Sequence, residues 1–125
     1  MFEETFKLDA NYISTSGLSS LPYAVKQVSG GIAPTKVYSM FFNNTSAAVR
    51  YVKLANTSAT TAITGISAQT PLMRIGIAAG ESFTYDPLSP IKFNTGLSVY
   101  ATSTAGDDTN GAVVAGDVHG FIVYS

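Results

Sequence analysis

Apolar and polar residues alternate in short runs along most of this chain, and small or turn-forming residues separate the runs. Side chains of a β-strand point alternately to the two faces of a sheet, so alternation over a few residues predicts a half-buried strand. The runs that fit this pattern cover residues 23–29, 35–43, 48–55, 72–78, 82–85, 91–93, 97–102 and 118–124. No stretch shows a sustained apolar repeat at the helical period. The sequence therefore predicts an all-β protein, a jelly-roll-like β-sandwich of about seven to eight antiparallel strands.

Two of these runs differ in the number of strand faces that we expect to be buried. Run 35–43 is largely apolar on both sides of the alternation, which predicts a strand buried on both faces. Strict alternation puts Val37, Ser39 and Phe41 on one face and Tyr38, Met40 and Phe42 on the other. In run 48–55 the set Val49, Tyr51 and Lys53 alternates with the set Arg50, Val52 and Leu54, which is a half-buried pattern.

Residues 1–22 lack this alternation and contain loop-forming serines, glycine and proline, so we expect an N-terminal arm before a β-sandwich domain at residues 23–125. The arm is nevertheless rich in apolar residues, which a free tail would expose to water. We therefore predict that it lies along its own domain or binds another protein. The residues expected to make the protein contacts are Phe2, Phe6, Leu8, Tyr12 and Ile13.

The composition limits the classes of partner. Only 12% of the residues are charged and the net charge is −1, whereas an average domain has about 25% charged residues. The seven Lys and Arg residues are spread along the chain, so no basic patch for nucleic acid is expected. A weakly charged surface leaves little repulsion between copies, which suits dense packing of subunits. With no cysteine, disulfides and thiolate zinc sites are excluded.

The sequence contains no predicted signal peptide and no predicted membrane-spanning segment. The N-terminus lacks the basic and apolar regions of a signal peptide, and no apolar stretch approaches the roughly 18 residues that span a bilayer. We therefore expect a protein that is not exported by the ordinary route and has no membrane partner.

Few residues could carry catalysis. His119 is the sole histidine and lies within the last predicted strand, where a structural role is the simpler interpretation. Glu81 and Asp86 flank one short strand and could be read as paired carboxylates, although nothing else supports that reading. Asp107 and Asp108 could supply some calcium ligands, but the spacing is not that of an EF-hand and a polar turn explains the loop equally well. We expect no catalytic residue, no cofactor and no metal.

Four blocks of sequence, at residues 50–56, 71–80, 91–99 and 106–109, resemble a family of small structural proteins of tailed bacteriophages. Residues 50–56 resemble the family pattern R-(F/Y)-(V/L)-K-(L/F)-(Y/A)-N, and residues 71–80 resemble P-x-x-x-I-x-I-P-A-G, with one alanine where proline is frequent. Residues 91–99 resemble I-x-F-x-T-G-(L/I)-S-(V/I), and the acidic loop at 106–109 precedes a closing strand. The resemblance covers about residues 36 to 125 and leaves the arm outside.

This resemblance implies a virion structural protein on the capsid surface, assembled in the host cytoplasm. The leading expectation is a capsid decoration (cement) protein that binds and bridges major capsid protein subunits. The resemblance also implies a homo-oligomer, for which a trimer is one candidate. The alternative is a tail, neck or fibre component whose β-sandwich binds a receptor or a carbohydrate. A small enzyme is a third hypothesis, which the scarcity of candidate catalytic residues disfavours.

Overall fold

Nine strands form among the residues that the computed structural model describes, which are 11–14, 18, 23–27, 34–57, 71–106, 111, 113, 114 and 116–125. For residues 11–14, 23, 24, 26 and 27 only the backbone is described. The strands are β1 (Asn11–Ser14), β2 (Tyr23–Gln27), β3 (Thr35–Asn44), β4 (Arg50–Ala55), β5 (Pro71–Ile77), β6 (Ser82–Tyr85), β7 (Ile91–Phe93), β8 (Gly96–Thr102) and β9 (Val118–Tyr124).

The strands form two antiparallel sheets with a nested order of pairing. Sheet A has the order β1-β9-β3-β6, and β7 pairs with β3 on the same side as β6. Sheet B has the order β2-β8-β4-β5. The first strand thus pairs with the last, β2 with β8, β3 with β6 and β7, and β4 with β5. This nesting is the wiring of a jelly roll, so the predicted fold class is confirmed.

The core lies between the two sheets and consists of one apolar cluster. Buried side chains of β3 and β9 in sheet A face those of β4, β5 and β8 in sheet B. The fully buried members with no exposed area are Val37, Phe42, Val52, Leu54, Phe93, Leu97, Val99, Ala101, Val118 and Ile122. Because the chain has no disulfide, this apolar contact and the strand pairing hold the fold together.

Part of the predicted arm belongs to the folded domain. Residues 11–14 form β1, in which Tyr12 lies opposite Val123 and Ile13 lies opposite Ile122. Leu18 is 4% exposed and is a member of the core cluster. The apolar residues Tyr12 and Ile13 are adjacent in this strand and do not alternate with polar ones, so the sequence pattern gave no sign of it. The first strand of the jelly roll therefore precedes residue 23.

A β-bulge changes the faces that strict alternation assigns within β3. The register with β9 shifts between Val37 and Ser39, which makes Tyr38 the extra residue. Val37, Met40 and Phe42 consequently all face the core, whereas Phe41 lies on the outer face of sheet A. The predicted grouping of Val37 with Phe41 and of Tyr38 with Phe42 is therefore wrong, because one inserted residue moves the following side chains to the opposite face.

The backbones of β3 and β9 approach each other closely at Gly120. A Cβ atom at this position would overlap the carbonyl of Phe41 and crowd the Cα atom of Phe42. Both partners in this clash are backbone atoms, which cannot move away as a flexible side chain can. Glycine at position 120 is therefore required by the pairing of the two central strands of sheet A.

We expect Gly120→Ala to destabilise the fold by about 3 kcal/mol, because the added methyl group forces β9 away from β3. Denaturant unfolding of both proteins measures the difference. Gly76→Ala is the matched control in β5, where the added Cβ would meet only the ring of Tyr51 at 3.2 Å. Equal losses of stability in the two variants would contradict the account.

Candidate protein-binding surfaces

Asn44 fixes one end of the sandwich through its buried side chain. Its Nδ2 donates to the carbonyl oxygens of Ala48 at 2.8 Å and Ile77 at 2.9 Å, with a longer contact of 3.2 Å to that of Ala78. Its Oδ1 accepts from the backbone N–H of Ser46 at 2.9 Å and from the Ser46 hydroxyl at 2.7 Å. One side chain at the end of sheet A therefore holds both the β3–β4 turn and the end of β5 in sheet B.

Asp117 brings the β8–β9 connection to the same place. Its carboxylate accepts from Nε of Arg50 at 3.0 Å and from the backbone N–H of Val114 at 3.3 Å. Its backbone carbonyl accepts from the N–H of Thr45 at 2.8 Å, and its own N–H donates to the Val114 carbonyl at 3.0 Å. The Arg50 and Asp117 side chains are 17% and 16% exposed, so water screens this ion pair less than an open surface pair.

Two exposed apolar side chains belong to residues whose backbone takes part in this hydrogen-bond network. Val49 is 40% exposed and its carbonyl accepts from Nη1 of Arg50 at 3.0 Å. Val114 is 71% exposed and its backbone makes the two bonds to Asp117 described above. We call the surface formed by Val49, Val114 and the network of Asn44, Arg50 and Asp117 the loop end. The fixed backbone presents both valines without a large further loss of conformational entropy on binding.

The outer face of sheet A provides a second apolar surface. The rings of Phe41 and Phe121 stack at 5.8 Å between centroids with 26° between their planes. The strand register places Val123 of β9 opposite Ser39, beside the two rings. The hydroxyl groups of Tyr38 and Ser125 form a hydrogen bond of 3.1 Å. These residues are half-buried. We call the set Tyr38, Phe41, Phe121 and Val123 the aromatic face.

The outer face of sheet B differs because its central positions are fully buried. Lys53 and Tyr100 lie opposite each other in register, point away from the core and have no exposed area. The Lys53 Nζ lies 5.7 Å from the centroid of the Tyr100 ring, a cation–π distance. The half-buried pattern predicted for run 48–55 does not hold over residues 52–55, where successive residues on both faces of β4 are buried. The alternation of side chains distinguishes the two faces of a strand, but it cannot show that other residues cover the outer face of the sheet.

The described residues include only some of those predicted to bind protein. Phe2, Phe6 and Leu8 lie outside the described residues, so their role stays a prediction. Tyr12 and Ile13 lie in β1 at the edge of sheet A. Because β1 runs antiparallel to β9 and Asn11 lies opposite Tyr124, β1 begins at the end of the sandwich away from the loop end. Val49, Val114 and the aromatic face were not singled out from the sequence.

The candidate catalytic residues are scattered. Glu81 and Asp86 are exposed at opposite ends of β6, and residues five positions apart in an extended segment have Cα atoms about 16 Å apart. This separation argues against a paired-carboxylate mechanism, which needs carboxyl groups within about 5–10 Å. His119 is half-buried on the outer side of sheet A and lies opposite Asn43 in register.

The metal and membrane predictions are tested only over part of the chain. Within the described residues, no group of three or more His, Cys, Asp or Glu residues could hold a metal ion. Asp107 and Asp108 lie outside that part, so the calcium alternative for their loop stays open. Over the same described residues, no helix is long and apolar enough to cross a membrane.

Comparison of the chain with protein-family models, with curated proteins and with solved structures found no match.

We expect Asn44→Ala to lower the free energy of unfolding by about 3 kcal/mol, because it removes the buried donor to the Ile77 carbonyl and the acceptor of two bonds from Ser46. Equilibrium unfolding in urea measures the loss. Asn43→Ala is the matched control, since the described contact of the neighbouring Asn43 side chain is an exposed one, to the Ser82 hydroxyl at 3.1 Å. We expect the control to cost less than about 1 kcal/mol. A control that costs as much as Asn44→Ala would show that the buried amide has no special part.

Proposed function

We propose that this chain is a non-catalytic virion structural protein, specifically a capsid decoration protein that binds and bridges major capsid protein subunits. The observation that carries the binding role is the loop end, where Val49 and Val114 are exposed while a buried polar network fixes the backbone beneath them. Exposed apolar side chains on a rigid base favour protein contact, because binding then orders few additional groups.

The sequence blocks supply the virion part of the proposal. Residues 50–56, 71–80 and 91–99, which resemble the phage structural proteins, cover β4, β5 with its following turn, and β7 with the start of β8. Asn56 links two of these blocks, since its Oδ1 accepts from the N–H of Thr95 at 2.8 Å and of Gly96 at 3.4 Å. The quoted residues thus include contacts on which this fold depends.

The bridging role is supported by the two ends of the sandwich. The loop end lies at one end, and β1 begins at the other, where Asn11 lies opposite Tyr124. In this proposal the arm, with Phe2, Phe6 and Leu8, anchors the domain to one capsid subunit, and the loop end contacts a neighbour. Many copies arranged on a symmetric shell would bind with an avidity well above that of each single contact.

The direct test is the position of the chain on the particle. Antibodies raised against the purified chain are applied to intact particles of the phage that encodes it, and gold labels are located by electron microscopy. We expect labels over the capsid shell. Labels confined to the tail, neck or fibres would support the alternative of a receptor- or carbohydrate-binding component, and particles without any label would contradict a virion role.

We expect deletion of residues 1–10 to abolish binding to undecorated capsids while leaving the fold intact, because β1 begins at Asn11. Co-sedimentation with capsids that lack the chain measures binding, and thermal unfolding checks the fold. Val114→Ser should weaken binding about tenfold or more as a loss at the loop end. Leu88→Ser, which changes a fully exposed residue between β6 and β7, serves as the control. Full binding by the truncated chain would refute the arm as anchor.

A further inference from the structure

Two lysines lie directly opposite each other on the outer side of sheet A. Lys92 of β7 pairs in register with Lys36 of β3, and we call these two residues the lysine pair. Their neighbours along the two strands, Thr35, Val37 and Phe93, are fully buried, so both lysines project away from the core. Opposite positions on one face place Cβ atoms about 4.5–5.5 Å apart, and like charges at such positions destabilise a strand pair. The lysine pair therefore favours an anionic group beside it.

The described residues do not supply that anionic group. Among them the ion pair joins Arg50 to Asp117 at the loop end, and no carboxylate, including that of Asp86 between β6 and β7, forms an ion pair with either lysine. On the β9 side, Lys36 and Ser125 exchange backbone hydrogen bonds of 3.2 and 2.9 Å. Lys92 is exposed and Lys36 is half-buried, so the ammonium groups are available to an acidic segment.

The segment that precedes β1 has the opposite charge. Residues 1–10 contain three acidic residues and one lysine, a net charge of −2, whereas residues 11–125 contain six basic and five acidic residues, a net charge of +1. Glu3 and Glu4 are adjacent, so this segment offers two carboxylates to two ammonium groups. The chain itself thus contains a segment that complements the charge of the lysine pair.

The topology of sheet A brings the start of β1 close to the lysine pair. Val37 of β3 lies opposite Ile91 of β7 and opposite Tyr124 of β9. Tyr124 lies opposite Asn11, so β1 begins in the row next to the two lysines. Three strand spacings separate β1 from β7, which is about 14 Å. The segment from Asn11 back to Glu4 can span up to about 23 Å when it is extended, so it is long enough to reach both lysines.

We propose that the lysine pair is the docking site for Glu3 and Glu4 of the same chain. A short tether gives an effective concentration in the millimolar range, which favours the arm of the same chain over that of a second copy in dilute solution. Exposed ion pairs are individually weak and are screened by salt, so the contact is reversible. In the free chain it keeps the apolar residues of the arm near their own domain until a partner displaces them. The inference concerns the free chain and does not rest on the proposed capsid role.

Carbodiimide cross-linking tests the contact directly, because this reagent joins a carboxylate to an amine without a spacer. An equal mixture of unlabelled and isotope-labelled full-length chains is treated, and the tryptic peptides are identified by mass spectrometry. We expect cross-links from Glu3 or Glu4 to Lys36 or Lys92 within chains of one label only, and about fivefold fewer at roughly 1 M salt. Lys26 of β2, in the other sheet, is the internal control and should give none.

The rate of trypsin cleavage after Lys7 measures the same contact independently, since the protease cleaves the undocked arm. We expect the double variant Lys36→Gln, Lys92→Gln to release the peptide of residues 1–7 about threefold faster or more, because two exposed ion pairs are lost. Lys26→Gln should leave the rate unchanged, and thermal unfolding checks that each variant is folded.

Four results would overturn the proposal. They are an absence of cross-links from the arm to the lysine pair, cross-links that join chains of different label, cross-links that reach Lys26 equally, and an unchanged release rate in the double variant. Cross-links formed by a chain that fails to bind capsids would leave this contact in place and count only against the capsid role.

Discussion

The side chain of Asn44 joins the two sheets at the end of the sandwich where three connections meet. Its amide donates to carbonyls of the β3–β4 turn and of the end of β5, and its oxygen accepts from Ser46. Without this residue the carbonyl of Ile77 would lose its buried side-chain donor and Ser46 would lose the acceptor of its two bonds. Because Val49 and Val114 take their positions from this network, the presentation of the loop end depends on one buried asparagine.

The strands could be predicted from the sequence because most of them alternate cleanly between turn residues. The predicted runs 82–85, 91–93 and 118–124 coincide with β6, β7 and β9, and the remaining predicted runs agree with their strands to within a few residues. The local pattern could not reveal β1, where the apolar residues Tyr12 and Ile13 are adjacent instead of alternating, or the bulge at Tyr38, which depends on the register with β9. It also could not reveal the burial of Lys53, because the alternation within a strand does not change when other residues cover the outer face of its sheet.

The candidate surfaces were harder to predict than the fold for a physical reason. Arg50 and Asp117 are 67 residues apart in sequence, and Phe41 and Phe121 are brought together only by the pairing of β3 with β9. Contacts of this kind follow from topology, not from any local motif. Asn56, which lies within one of the sequence blocks described above, serves the fold by accepting from the N–H of Thr95, so a block of sequence can mark a fold contact without marking a binding surface.

The binding role proposed for the loop end requires that its backbone is rigid before any partner binds. Native-state hydrogen exchange of the backbone amides of Thr45, Ser46 and Asp117 tests it most directly, since their bonds to Asp117, Asn44 and Val114 define the network. The account predicts that these amides exchange nearly as slowly as those that pair β3 with β9, because opening them requires disruption of the buried Asn44 cluster. Exchange at the rate of an open loop, with an opening free energy below about 1 kcal/mol, would contradict it.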